Sequence, residues 1–337
     1  MIKDNYFLIE NLKNIVFIGE SMKFKELIEI NDRLEIPSNI ITCSNQAETI
    51  EKNLNINIFD ELDHNFKSFI QKNFDASETL FIGLGPRWIF SKEIIEKIFH
   101  SNLINFHGTR LPYDAGPGGG MSWRILRGDR IDNQLVHLVD EGIDTGPILN
   151  YERSLIPASC NIPIEIEDYR LNRFVKFYEK FIANLKKGKK YKLLHQPKYL
   201  GRHNTRLHTL THGWIDWNMS SQNLVKFINA FDDPYPGASS YTTNNKFGRL
   251  FLKKVQLHGG ESPNHPFMNG LISRHDDDWI VVSTIDENMI LIEEIIDEDG
   301  KNIIKFLKTG DRFYSPNEKI EFGKNKKIFY GPKGILN

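Results

Sequence analysis

A chain of 337 residues with 40% hydrophobic and 26% charged side chains can fill two domains and bury a core, which excludes a globally disordered protein. Its 43 basic and 44 acidic residues leave a net charge of −1, against the basic excess of a dedicated nucleic-acid binder. No apolar run reaches the roughly 18 residues of a bilayer span, no basic-then-apolar leader opens the chain, and Cys43 and Cys160 lie in unrelated contexts. The expectation is a soluble cytoplasmic protein without a membrane partner, a disulfide framework or a cysteine metal site.

The first half alternates strands and helices. Asn14 to Gly19 reads as a strand, Phe24 to Ile30 as a helix with Phe24, Leu27 and Ile28 on one face, and Ile40 to Cys43 as a second strand. Phe59 to Phe74 carries apolar residues near a 3.6 period and predicts an amphipathic helix. A strand at Thr79 to Leu84, a helix at Ser91 to Phe99 with Ser91 as N-cap, and a strand at Leu103 to His107 follow. This alternation predicts a mostly parallel sheet covered on both faces, with ligands beyond the carboxyl ends of the strands. A further strand at Gln134 to Val139 precedes a long helix from Ile162 to Lys187. Gln196 to Thr211, with little periodicity, reads as a linker.

Past Gly213 the texture changes. A helix over Ser221 to Phe231 precedes short strands at Leu250 to Val255, Gly270 to Ser273, Trp279 to Thr284, Met289 to Ile296 and Lys305 to Leu307, which suggest a small barrel or sandwich. Trp214 and Trp217 read as packing anchors, and Asp276 to Asp278 as a hairpin turn. The division is a catalytic domain over 1–190, a linker over 191–212 and a smaller β-barrel-like domain over 213–337.

The segment from Leu103 to Leu149 carries the chemistry. Asn105 and His107, two apart on a strand, point an amide and an imidazole to the same side at the strand's end. Downstream, Asp140, Glu141 and Asp144 sit on the turn DEGIDTGP among glycines that allow close backbone approach. An Asn, a His and a carboxylate suit acyl transfer to an amine without a covalent enzyme intermediate. The amide and imidazolium donate to a developing oxyanion, and the carboxylate relays the amine's proton. Asp140 alternatively holds the loop. GPGGG at Gly116 to Gly120, running into a helix, either cradles a pyrophosphate at the helix amides or only shapes the loop; it has no GK[ST] of a Walker A motif.

Asn105-Phe106-His107 followed by Asp140-Glu141-Gly142-Ile143-Asp144-Thr145-Gly146 resembles the folate-dependent formyltransferase family, with its Asn-x-His and Asp-x-Gly-x-Asp-x-Gly elements. GWIDW with PYPGA, and the closing GPKGILN, are similar to the C-terminal barrel of that family. The resemblance implies a Rossmann-like α/β domain followed by an OB-type barrel, and Asn105, His107 and Asp144 as the catalytic set. It also implies Arg87, Trp88, Ile89 and Phe90 around N10-formyltetrahydrofolate, with Val139 and Asp140 on the other side and no metal. The stretch after His107, GTRLPYDAGPGGGMSW, departs from the family pattern on the acceptor side. Trp88 alone reads equally as core or cofactor wall.

The acceptor must be argued separately. Residues 205–337 carry 16 basic and 17 acidic side chains, a poor match for tRNA. A small anionic acceptor suits the glycine loop and the nearby Arg110, Arg124 and Arg127. The expectation is a nucleotide-linked amino sugar, for surface polysaccharide such as lipopolysaccharide O-antigen, bound near Gly118, Gly119, Gly120, Arg124 and Arg127. A homodimer follows by analogy with the nucleotide-sugar enzymes. The alternatives are a methionyl-tRNA formyltransferase and a non-catalytic folate-binding protein.

Overall fold

The computed structural model describes the chain apart from residues 1, 4, 109–110, 113, 116–119, 198–201, 204, 245, 260–264, 332–333 and 337. Its main sheet has seven strands: β1 (Asn14–Gly19), β2 (Ser38–Thr42), β3 (Ile56–Ile58), β4 (Thr79–Leu84), β5 (Leu103–His107), β6 (Ile131–Leu138) and β7 (Ile148–Leu155). Their order is β7-β6-β5-β4-β1-β2-β3. The run from β5 to β3 is parallel, and β6 and β7 add on antiparallel. The order reverses between β1 and β4, and at such a switch point the loops part to leave a crevice beyond the strand ends.

Both faces of the sheet are buried, which is why its central strands read as unbroken apolar runs. Ile15 and Phe17 of β1, with Ile82 and Ile104, pack under α1 (Phe24–Arg33), while Val16, Ile18, Phe81 and Leu103 pack under α2 (His64–Asn73). Asp63 caps α2 by accepting from the Phe66 amide at 3.0 Å, so this helix starts after the predicted Phe59. Residues 59–62 precede it, and Ile56–Ile58, without a strand signal of its own, adds the last strand. The predicted helix after Ser91 includes a π-helical turn at Ile94–Ile98.

Two helices matter for the site. α3 (Gly120–Arg127) follows the glycine loop, and α4 (Pro163–Lys186) lies against the sheet. Glu165 closes the start of α4 by accepting from the amides of Asn161 and Ile162 at 2.7 and 3.3 Å. No helix among the described residues is long and apolar enough to cross a membrane.

The second region opens with α5 (Ser221–Ala230). Its strands are β8 (Ala238–Thr242), β9 (Leu250–His258), β10 (Ile272–His275), β11 (Ile280–Ser283), β12 (Met289–Ile296) and β13 (Phe313–Tyr314), ordered β10-β11-β12-β9-β8-β13. This antiparallel sheet curls until its edges approach. The Ile272 amide donates to the Asp311 carbonyl at 2.9 Å, and the Phe313 amide to the Gly270 carbonyl at 2.8 Å. The Asp276 amide donates to the Trp279 carbonyl at 2.9 Å, closing the β10–β11 turn where the acidic run predicts it. The predicted strand at Lys305 to Leu307 is instead a 3-10 turn over Ile304–Phe306. Ile303, Ile304 and Leu307 are buried while Phe306 stands out, a helical rather than an alternating spacing.

Trp217 stacks on Phe313 with ring centres 5.3 Å apart and donates to Ser240 Oγ at 3.0 Å. Trp214 lies under the Arg249 guanidinium, 4.4 Å from its ring centre. The second core is built from Ile215, Trp217, Leu224, Leu252, Ile290 and their neighbours, and Ile125 and Leu126 of α3 pack against it.

Candidate active site

The register of β5 builds the site. Leu103, Asn105 and His107 face one side of the sheet, while Ile104 and Phe106 face α4. Asn105 pairs with Gly83 of β4 and lies directly across from His137 of β6. Its Nδ2 donates to His137 Nε2 at 3.2 Å. Gly83 leaves the amide room, because a Cβ there would press to 3.3 Å from Asn105 Oδ1.

His137 is the group that sequence reasoning passed over. It sits mid-strand in an apolar-looking run, and only the register of β5 against β6 brings it to Asn105. Its Nδ1 donates to the Leu138 carbonyl at 2.7 Å, which leaves Nε2 as the acceptor and fixes which way the Asn105 amide points. Burial, followed by the nearby charge of His107, pushes its pKa from 6.5 down to about 4, against the pull of Asp144. His137 is therefore a neutral acceptor at physiological pH.

The folded value lies below the unfolded one, so the unfolded chain binds the extra proton between about pH 6.5 and pH 4. Stability from this group is whole above that window and is lost as the pH falls through it. Thermal unfolding followed across the window should show a steeper acid loss in the parent than in His137→Asn. Equal slopes would remove His137 from the account.

Asp144 completes the cluster. Its Oδ1 lies 3.6 Å from His107 Nδ1 and 3.8 Å from His137 Nε2, and all three side chains are largely buried. The loop that carries it is closely braced. Asp144 itself takes the left-handed region at φ 57°, which Asp tolerates better than most residues. Asp140 Oδ1 accepts from the Gly142 amide at 3.1 Å and from Thr145 Oγ1 at 2.6 Å. Any side chain at Gly146 would run into the Leu138 carbonyl. Gln196, from the stretch read as a linker, donates to the carbonyls of Asp144 and Gly146 at 3.0 and 2.6 Å. Nothing in the local sequence announces that contact, which spans 52 residues.

The ligating atoms of His107, His137 and Asp144 lie within 4.8 Å of one another, so these groups also have the residue types of a divalent-cation site. The Asn105 amide occupies the His137 lone pair such a cation would need.

Residues expected at the cofactor divide by direction. Trp88 is buried and donates from Nε1 to the Asp60 carbonyl at 3.2 Å, and Phe90 is buried against Phe99. Ile89, between them, is 71% exposed. Arg87 reaches Glu20 at 3.2 Å across the crevice between β1 and β4. Val139 is half-buried against the core beneath α2, next to Asp140.

On the acceptor side, Gly118, Gly119 and Arg110 lie outside the described residues. Gly120 opens α3, and Arg127 is half-buried on its last turn. Arg124 does not present its guanidinium to an open site. It is 1% exposed and donates to the carbonyls of Ile131 and Gly108 at 2.7 and 3.1 Å.

An amide, two imidazoles and a carboxylate converge at the strand ends of a doubly covered, parallel-rich sheet, and these are the residue types that general acid–base group transfer uses. Residues 209–308 match the family model "Formyl transferase, C-terminal domain". The chain is 26% identical to the methionyl-tRNA formyltransferase of Ruminiclostridium cellulolyticum over 261 residues, 76% of this chain and 77% of that one. Its fold is similar to that of an N-formyltransferase from Helicobacter canadensis in complex with folinic acid and dTDP-3-aminofucose. That likeness has a TM-score of 0.61 at 16% identity, covering 84% of this chain and 99% of the other. It is also similar to WlaRD, a sugar 3N-formyl transferase, with a TM-score of 0.58 at 18% identity, covering 84% and 97%. The matched C-terminal domain and these relatives together support a folate-dependent formyltransferase family for the chain, and with it an enzyme of folate-dependent formyl transfer.

Proposed function

We propose that this chain moves the formyl group of N10-formyltetrahydrofolate to the amine of a nucleotide-linked amino sugar, with Asn105, His107 and Asp144 as the catalytic set. The observation that carries the reading is the convergence of His107 and Asp144 at 3.6 Å, beside Asn105, at the end of β5. The crevice suits a folate on a further count. Asn105 Oδ1 is buried and has no hydrogen-bond partner among the described residues, so it is an acceptor suited to a bound ring's N–H. When bound, the folate supplies an activated formyl carbon.

The protein's part is to receive charge and move protons. Asn105 keeps its second amide hydrogen for the formyl oxygen, because the first is held by His137. A protonated His107 donates to the same oxygen as the amine adds. Asp144 holds the imidazole's proton, accepts the one the amine gives up, and would return a proton to the donor's nitrogen as its bond to the formyl carbon breaks. Ile89, exposed beside the crevice, offers an apolar contact to the ring, and Asp140 keeps the Asp144 loop in shape.

For the acceptor, the start of α3 at Gly120 provides backbone amides for a pyrophosphate, with Arg127 as the nearby cation. The near-neutral second region and the likeness to sugar N-formyltransferases support a small nucleotide-linked amine. The relatives that are methionyl-tRNA formyltransferases support the second reading. Incubation with N10-formyltetrahydrofolate and a panel of nucleotide-linked amino sugars, beside charged initiator tRNA, separates the two. The sugar reading expects turnover on one of the sugars, a higher KM for it in Arg127→Glu with the donor's KM unchanged, and shallow salt dependence. A tRNA contact with many phosphates loses about 10³–10⁵ in affinity over a modest salt increase. Such steep inhibition together with turnover on methionyl-tRNA would overturn the sugar assignment.

A further inference from the structure

Outside the cluster already described, the most unusual buried chemistry lies one residue past His107. Asp132 of β6 is fully buried between two arginines. Arg170 of α4 donates from Nε to Asp132 Oδ1 at 2.8 Å, and the Arg124 guanidinium lies 3.7 Å from the same oxygen. Gln134 holds the other oxygen at 3.1 Å and also donates to the Arg170 carbonyl at 3.2 Å. Both arginines then spend a hand on one acceptor. Arg124 and Arg170 each donate to the carbonyl of Gly108. Arg170 comes so close that any side chain at position 108 would occupy the space of its guanidinium. A third hand of Arg170 meets Met121 Sδ at 3.1 Å.

Two buried cations on one peptide oxygen are more than a turn needs for satisfaction, and their desolvation is costly. A neutral donor would satisfy the carbonyl. What the two planar forks add is direction: they hold the carbonyl of Gly108 from α3 and α4 at once, and Gly108 is the residue directly after His107 at the end of β5. We infer that Arg170 and Arg124, tied together by Asp132, are positioning residues that fix His107 toward Asp144. This inference rests on the proposed role of His107. It also gives the second region a part in catalysis, because α3, which carries Arg124, packs Ile125 and Leu126 against that region's core.

The test uses the full chain with Arg170→Lys, Arg124→Lys and Gly108→Ala, the last of which leaves the charges intact and displaces the fork. Should Arg170→Lys fail to fold, the Arg170→Gln/Asp132→Asn pair removes that ion pair and leaves no orphaned carboxylate, with Arg124 still held by the Ile131 and Gly108 carbonyls. Folding is checked by circular dichroism, and the His107 ring is followed by nuclear magnetic resonance through a pH titration, a readout that needs no turnover. The expected result in folded variants is a displaced His107 titration and a kcat lowered about 10–100-fold, with the donor's KM within about twofold of the parent. A folded variant with parental kcat and an unmoved His107 titration would overturn the positioning role. If the parent itself shows no formyl transfer, the proposed function fails, while the His107 titration still decides whether the clamp holds the ring.

Discussion

His107→Ala should fold normally and lose about 10²–10³ of kcat, the usual cost of one donor to a developing oxyanion. Asp144→Asn should fall in the same range, because it keeps the shape of the carboxylate but gives up its capacity to take a proton. The two act on one another at 3.6 Å, so the double variant should be little worse than either alone. KM for the folate should change less than kcat in all three, since neither side chain is assigned to hold the donor. Steady-state kinetics beside thermal unfolding check this. Near-parental kcat in either single variant, or fully additive losses in the double, would end the assignment.

Phe106→Ala should destabilise the fold by about 3–5 kcal/mol, near the lower end because the ring is only partly buried. Phe106 lies between the two expected catalytic residues but faces the other way. Its ring meets Phe174, Phe177, Tyr178 and Phe181 of α4 at centre distances of 5.4, 5.9, 5.5 and 5.7 Å. That contact clamps β5 onto α4 and so holds Asn105 and His107 outward. Urea unfolding should show a lower midpoint at unchanged slope, with Phe106→Leu milder because it leaves less empty volume. A loss under about 1 kcal/mol would mean that the aromatic cluster is not what anchors the strand.

The central strands were legible because each lies in a doubly covered sheet, where burial forces an apolar run; Asn14–Gly19, Thr79–Leu84 and Leu103–His107 fall where the sequence places them. The strand Ile148–Leu155 escaped notice because it is an edge, with Tyr151 and Leu155 exposed and polar residues between. Ala238–Thr242 escaped for a different reason: its Ser239 and Ser240 are buried by hydrogen bonds rather than by apolar character. At the site, Asn105 and His107 were legible as a period of two at a strand end, and Asp144 through its glycine-rich turn. His137 was not, because its role depends on an antiparallel register that no local pattern encodes. Arg124 reads as a surface cation near an acceptor loop, and only the packing of α4 shows where its guanidinium goes. Gln196 likewise acts from a stretch whose composition says only that it connects.

The placement of α3 bears on how such a protein can be recombined. Cutting after residue 212 looks natural in sequence, yet Ile125 and Leu126 complete a core made otherwise by residues beyond 213. A chimera that takes its second region from a relative therefore inherits a foreign socket for α3. If that socket does not accept the two side chains, the helix shifts, and Arg124 shifts with it away from the Gly108 carbonyl. Exchangeable pieces of this chain are thus defined by matching α3 to its socket, and a graft that ignores the match should give a folded but sluggish enzyme rather than an unfolded one.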